Sequence, residues 1–475
     1  MKAQAHVVTP HRFDPVILRA YDIRGVTEEN LFPEDAYHIG RAFAVLVARE
    51  TGKPVQSLQL AAGRDGRLSS PELEAELVRG IKDAGAQAVR IGMGPTPMLY
   101  FAVKSRKLDA GIMVTGSHNP PTHNGFKMMT YSRPLHGQDI QELGVIAATP
   151  QSAPAQGSER QESVFEDYIT ALVGGFEATQ NPRKLKVVWD PGNGAAGDVV
   201  SALAKRIPGE HILINEKVDG TFPAHHPDPT EEKNMLQLIE TVRKHGADVG
   251  VAFDGDGDRV GAVDAKGRIL WGDQLMMLYA ADILEKHPGA TIIGDVKTSQ
   301  SLFDKVKELG GTPLIWKTGH SLIKAKIAET GALLAGEMSG HIFFADRYFG
   351  FDDGIYAAAR LLNILVKSPH TLVEMMDAMP KLHNTPELRI DVPEARKFAI
   401  IGEVAERLKN AGIAYSDIDG VRVMTGKGWW LLRASNTQAA LIARCESADK
   451  AALAEMVENL RAQLSSSGVT LVLSA

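Results

Sequence analysis

Cysteine is nearly missing. The 475 residues contain one, Cys445. A single thiol cannot form an internal disulfide, so a reducing compartment and a core position for Cys445 are expected. Long apolar runs are missing as well. No stretch approaches the roughly 20 residues of a membrane-spanning helix, and no membrane partner is expected. Residues Met1 to Pro15 are polar and include His6 and His11. They lack the apolar stretch of a secretory signal, and the cytoplasm is the expected location. Positive charge is in deficit: 52 Lys and Arg face 58 Asp and Glu, a formal net charge of −6. A nucleic-acid binder would carry a basic face, so nucleic acid is not an expected partner.

What is present is the composition of an ordinary globular protein, with 44% hydrophobic and 23% charged residues. The length suits three or four domains. Apolar strand-like runs alternate with helical patterns along most of the chain. Leu58 to Ala62 reads as a strand, followed by the turn Gly63-Arg64-Asp65-Gly66-Arg67. Ser69-Ser70-Pro71-Glu72 then opens a helix, with Pro71 at a first helical position. Such alternation predicts mostly parallel sheets with helices on their faces. Ligands then gather at the carboxyl ends of strands.

The small polar stretch 147–162 marks a first boundary. New strand–helix series begin at Leu185 and near Gly267, and the pattern changes at about Pro380. Four domains are expected, over residues 1–160, 161–266, 267–380 and 381–475. The first three open alike, with Ala62-Gly63-Arg64-Asp65, Trp189-Asp190-Pro191-Gly192 and Ile293-Gly294-Asp295-Val296. The fold class expected is α/β: three similar mixed-sheet α/β domains plus a smaller C-terminal α+β domain, around a central cleft.

Four stretches carry chemistry. The first is Gly111 to Met129, GIMVTGSHNPPTHNGFKMM. A buried strand, Ile112 to Val114, breaks into a loop whose prolines, Pro120 and Pro121, bar a helix. Ser117 is thus presented on a rigid loop beside His118 and Asn119, with Lys127 on the next strand. Such a serine can be a nucleophile or a phosphate carrier, and the same residues could form a plain turn. The G-x-S-x-G spacing of a hydrolase elbow is absent.

The second follows the strand Val249 to Phe253: Asp254-Gly255-Asp256-Gly257-Asp258-Arg259. Three carboxylates at such spacing need a cation to coexist, and hard oxygen ligands favour Mg²⁺ or Ca²⁺. An EF-hand would place Gly at Arg259 and Glu at Ala265, so this is not one. Three ligands leave open positions, which Mg²⁺ commonly fills with phosphate oxygen and water. The third stretch is Gly336-Glu337-Met338-Ser339-Gly340-His341, where Glu337 can accept two hydroxyl hydrogen bonds and Ser339 can give or take one, and where a plain Gly-rich turn fits equally. The fourth is a strand ending in Arg433-Ala434-Ser435-Asn436-Thr437, a set of donors suited to a phosphate dianion.

In this order the stretches resemble the α-D-phosphohexomutases. T-G-S-H-N-P-P-x-x-N-G-F-K is similar to that family's active-site serine loop, and the three-Asp hexapeptide to its metal loop. The resemblance implies a phosphoryl group on Ser117, and Mg²⁺ held by Asp254, Asp256, Asp258 and phosphorylated Ser117. It implies Arg259 facing the sugar phosphate. Glu337 and Ser339 would lie in a sugar-specificity loop, with Arg433, Ser435, Asn436 and Thr437 in a phosphate-binding loop. Arg19-Ala20-Tyr21-Asp22-Ile23-Arg24-Gly25 resembles the family's N-terminal motif and implicates Tyr21 and Arg24. Lys297 and Gly319-His320 resemble two further substrate-facing turns. Lys127 and His341 are candidates for proton transfer, with Arg24 and His118 beside them. The E-M-S-G form of the sugar loop resembles the mannose/glucose type rather than the E-Q-S-G of glucosamine mutases. The last loop departs from the usual T-E-P, reading Thr437-Gln438-Ala439.

The expected partners are phosphosugars, with hexose 1,6-bisphosphate as intermediate and activator, in a monomer or weak dimer. Two alternatives remain open. One is a phosphoglucosamine mutase. The other is an NAD-dependent oxidoreductase built on Gly192, Gly194 and Gly197, a G-x-G-x-x-G turn after the strand Leu185 to Trp189, with Glu216 where a ribose ligand should lie.

Overall fold

The structure, a computed structural model, describes residues 7–152, 156–177, 183–436 and 438–471. Thr437, assigned above to the phosphate loop, lies outside them.

Three sheets share one strand order. In the first, the strand Gln59–Arg64 runs parallel between Gln87–Met93 and Ala110–Val114, and His123–Thr130 returns antiparallel beside the latter. In the second, Lys186–Asp190 lies between Glu210–Leu213 and Val249–Phe253, and Val260–Asp264 returns antiparallel. In the third, Thr291–Asp295 lies between Thr312–Trp316 and Leu334–Gly336, and Ile342–Phe344 returns antiparallel. The central strand of each is the one whose Gly/Asp ending looked alike in the sequence. In each the loop from the third strand to the returning fourth carries a motif: 115–122 with Ser117, 254–259 with the three Asp, and 337–341 with Glu337.

The strands that lead into the first two motif loops are apolar because both faces are covered. Every residue of Ala110–Val114 and Val249–Phe253 is buried, as parallel sheets flanked by helices require. The last domain is different. Leu388–Asp391, Val421–Met424, Gly428–Ala434 and Ala440–Ser447 form an antiparallel sheet, packed by Lys397–Asn410 and Lys450–Ser465. Cys445 sits in its core. No helix among the described residues is long and apolar enough to cross a membrane.

One continuous core joins the first three domains, including Tyr100, Trp189, Phe253, Tyr279 and Tyr356. The last domain has its own core and meets the third through a small apolar patch of Val296, Trp429 and Leu431. Buried Arg422 and Arg444 add polar contacts across the same boundary, donating to the carbonyls of Thr298 and Lys297. Two elements lie at the expected boundaries. The turn 264–267 makes a hairpin to Ile269–Leu270 inside the second sheet. Gly267 adopts φ +76°, and a tight hairpin and a linker share the same turn residues. Glu159–Gln161, within a stretch that read as linker, is the edge strand of the first sheet.

Candidate active site

Ser117 sits one turn beyond the strand Ala110–Val114 and is buried. Its backbone is in the left-handed region, at φ +51°, a strained state for a residue with a β-carbon. Its Oγ donates to Asp254 Oδ2 at 3.0 Å and lies 3.2 Å from His118 Nδ1. Thus the serine loop of the first domain rests on the metal loop of the second. A β-carbon on Gly255 would come within 2.4 Å of the Ser117 carbonyl oxygen, so only glycine permits this seat.

Asp254, Asp256 and Asp258 are all fully buried, with one oxygen each within 4.8 Å of the others. Lys127 Nζ donates to Asp256 Oδ2 at 2.7 Å and to Asp258 Oδ2. Thr96 Oγ1 also donates to Asp256. Asp256 Oδ1 and Asp258 Oδ1 are buried without a hydrogen-bond partner. Burial and the two neighbouring carboxylates push Asp254 well above the usual carboxylate range. Burial acts the same way on Asp256, but Lys127 outweighs it and holds that group low. Burial opposes the Lys127 ammonium, yet Asp256, Asp258 and Asp254 prevail and raise its pKa. Lys127 is therefore a charged ammonium in this arrangement. Two orphaned oxygens, three carboxylates and a hydroxyl fit a hard divalent cation.

Arg259 crosses to the third domain, where its Nε donates to His341 Nε2 at 3.0 Å. His341 Nδ1 lies 3.1 Å from Asp352 Oδ2. His320 stacks near His341, with ring centroids 5.4 Å apart. Burial and Lys324 push His320 well below its ordinary pKa. His118 is pushed down likewise, by its protein surroundings and by Arg259, Arg24 and Lys127. Glu337 Oε1 accepts from Gly319 N at 2.6 Å, and burial raises its pKa. Ser339 is half-buried on the same loop.

Tyr21 ties three domains together. Its hydroxyl donates to Thr318 O at 2.8 Å and accepts from Asn436 Nδ2. Burial drives its pKa up to about 12. Arg24 is held by Asp22 at 2.8 Å and by Asn119 Oδ1 at 3.1 Å. Two cations of the phosphate-binding side rest on carboxylates: Arg433 on Asp419 at 2.9 Å, and Lys297 on Glu387 at 2.8 Å. Ser435 Oγ accepts from Gln438 N at 3.2 Å.

These contacts bring the motif loops of four domains onto one cleft. Sequence reasoning missed Arg67, Thr96, Lys324, Asp352, Glu387 and Asp419. Arg67 lies in the turn noted above, Gly63 to Arg67, and Thr96 at the start of the helix Thr96–Ser105. Their chemical role had no local signal. The Gly192–Gly197 turn is not an open phosphate cradle. The N–H groups of Gly192, Asn193, Gly194, Ala195 and Gly197 are all spent within the protein, that of Ala195 on Gly255 O at 2.9 Å. The turn buttresses the metal loop, with these five amides committed to the protein.

Fold and site together define a four-domain α/β protein whose motif loops meet around a buried serine and three buried carboxylates. The sequence matches four families: "Phosphoglucomutase/phosphomannomutase, alpha/beta/alpha domain I" over residues 15–151, domain II over 166–267, domain III over 271–382, and the C-terminal domain over 387–463. The chain belongs to the phosphoglucomutase/phosphomannomutase family. It is 45% identical over 460 residues to a phosphomannomutase/phosphoglucomutase of Pseudomonas putida, covering 97% of each chain. It is 43% identical over 454 residues to a phosphoglucomutase of Neisseria meningitidis, covering 95% of this chain and 97% of the other. A crystal structure of a family member from Burkholderia thailandensis superposes with a TM-score of 0.90 at 41% identity, covering 97% of this chain and 100% of that one.

Proposed function

We propose that the protein is an isomerase interconverting hexose 1-phosphates and hexose 6-phosphates, with mannose and glucose as its sugars. Phosphorylated Ser117 is the donor, and a hexose 1,6-bisphosphate is both intermediate and activator. The observation that carries this reading is the 3.0 Å contact between Ser117 Oγ and Asp254 Oδ2, which seats the serine on the metal loop.

In the first transfer, the bond from Ser117 oxygen to phosphorus breaks as the free sugar hydroxyl bonds to phosphorus. The hydroxyl proton passes to a base, for which His341 is the candidate. The serine oxygen takes up a proton, and the Lys127 ammonium is the donor at hand. Bound at Asp254, Asp256 and Asp258, Mg²⁺ would supply neutralising charge for the transferring group. Arg433, Lys297, Ser435 and Asn436, with Thr437, grip the phosphate that does not react. Arg24, Arg259, His118 and His320 line the reacting end. Tyr21 closes the last domain over the cleft and helps exclude water, which would otherwise hydrolyse the phosphoserine. The bisphosphate then turns around and returns its other phosphoryl group to Ser117. Met338 in the sugar loop favours mannose and glucose over glucosamine phosphates.

Intact-mass measurement before and after incubation with glucose 1,6-bisphosphate tests the reading. One phosphate-sized increment, confined to the Ser117 peptide and absent from Ser117→Ala, is expected. An increment elsewhere, or full turnover by Ser117→Ala, would exclude Ser117 as carrier.

A further inference from the structure

We propose that Arg67 is the positioning residue for Ser117: its guanidinium holds the serine loop in the conformation that aims the hydroxyl at the metal loop. The inference deepens the reading of Ser117 as phosphoryl carrier and rests on it.

Arg67 is buried in the turn after the central strand Gln59–Arg64. Nη2 donates to the carbonyls of Ser117 and Asn119, both at 2.6 Å. Nη1 donates to the carbonyls of Pro120 at 2.6 Å and His123 at 2.9 Å. Nε donates to Asp65 Oδ2 at 3.1 Å. One planar group thus collects three carbonyls of the serine loop and that of His123, where the next strand begins. Asp65 in turn accepts the Gly116 N–H at 3.2 Å, so the pair grips both polarities of the loop backbone.

This grip explains two features of the loop. Ser117 is held at φ +51°, a conformation that persists only where its surroundings impose it. Gly116 lies under the guanidinium, and a β-carbon there would fall 2.6 Å from Cζ and Nε. The side chain cannot yield, because its donors are all engaged. Phe222 of the second domain covers the guanidinium from the other side, with its ring centroid 5.1 Å from Cζ. The Ser117 carbonyl is therefore sandwiched between Arg67 and Gly255.

Only arginine suits the place. Its fork offers five donors in one plane, whereas a lysine ammonium is a compact group with three. Arg67 has no part in the chemistry itself. Its effect is on where Ser117 Oγ stands, and a 1 Å misplacement of a reacting group can cost about 100-fold in rate.

The test uses the full-length protein, Arg67→Lys and Gly116→Ala, each first checked for a folded state by thermal melting. Two quantities are read: the rate at which glucose 1,6-bisphosphate phosphorylates Ser117, by quenched intact mass, and kcat and KM for mannose 1-phosphate. Wild type should acquire the phosphate. Both variants should acquire it about 100-fold more slowly, with kcat falling in step and KM within about threefold of wild type. Should Arg67→Lys fail to fold, Gly116→Ala decides, since it keeps Arg67 and pushes the loop off its guanidinium and the His123 carbonyl, 2.6 and 2.8 Å from the added β-carbon. Phosphorylation of the folded variants at the wild-type rate overturns the clamp while leaving the carrier reading intact. So does a KM that rises as much as kcat falls, which marks a general structural lesion. A wild-type protein that takes no phosphate on Ser117 removes the carrier reading, and the clamp with it.

Discussion

The Nε–H of Arg259 meets Nε2 of His341 across 3.0 Å, and this contact sets the form of the imidazole. A guanidinium can only donate. Nε2 must therefore accept, which leaves the ring proton of a neutral His341 on Nδ1, 3.1 Å from Asp352 Oδ2. The other oxygen of Asp352 takes the Lys324 ammonium at 2.8 Å. In the proposed reaction Arg259 turns to the substrate phosphate, and Nε2 of His341 is then free to accept the hydroxyl proton.

Replacing Asp352 by Asn lets an amide N–H face Nδ1 and removes the preference for that tautomer. Turnover should fall by about 100-fold, the scale of a lost general base, with KM near normal. Steady-state kinetics, with ¹⁵N shifts of His341, check it. Unchanged turnover would show that His341 needs no such orientation.

Asp256→Asn removes one of the three charges of the metal loop and leaves Lys127 with one carboxylate fewer. Affinity for Mg²⁺ and turnover should drop together, by on the order of 10-fold or more. Calorimetric titration of the chelator-treated protein, set beside a coupled assay, reads both. If the chelated wild type keeps full activity, the three Asp do not hold a working cation.

Mannose and glucose differ only at C2, and both hold O3 and O4 equatorial. The family resemblance implies Glu337 and Ser339 at O3 and O4, and implies no residue at O2. Mannose 1-phosphate and glucose 1-phosphate should be used with efficiencies within roughly 10- to 100-fold of each other. Galactose 1-phosphate turns O4 axial. Buried Glu337 then loses a partner, at a cost of about 1–3 kcal/mol or more, and galactose should fall well below both. Side-by-side rates with a supplied bisphosphate decide it. Galactose equal to glucose would sink the role of Glu337, and exclusive use of one C2 epimer would reveal an unrecognised O2 contact.

The N-terminal segment offers a pH test away from the cleft. His38, on the helix Pro33–Thr51, stacks on His11 with centroids 4.4 Å apart. Burial, then His11, Arg41 and Arg79, lowers its pKa from 6.5 to about 4. Between those values the unfolded chain binds the proton more readily than the folded one. The stability contributed by the neutral ring is complete above pH 6.5 and is lost as pH falls through the window toward 4. Screening near the surface trims the effect to about 1–2 kcal/mol. Urea midpoints at pH 7.5 and 4.5 should therefore differ less in His38→Gln than in wild type. Equal pH dependence in the two proteins would assign the acid limb to other groups.

The motif loops were legible in the sequence because each is continuous, with its chemistry a few residues past an apolar strand. The alternation of strands and helices, and the Gly/Asp endings of the central strands, pointed to the α/β class and to three like units. The Gly192–Gly197 turn read as a phosphate cradle because sequence cannot say whether amide groups are already spent.

Local order along the chain thus determined which residues could do chemistry, since strand ends, prolines and paired carboxylates act over a few residues. Tertiary structure alone decided which of them meet. Lys127 reaches Asp256 and Asp258 about 130 residues away, and Tyr21 reaches Asn436 from the other end of the chain. Arg67, an unremarked turn residue, lies under a loop some 50 residues on. No periodicity encodes such pairs. They arise from the order of strands in each sheet and from the core the first three domains share, which set the distance between loops that the sequence leaves far apart.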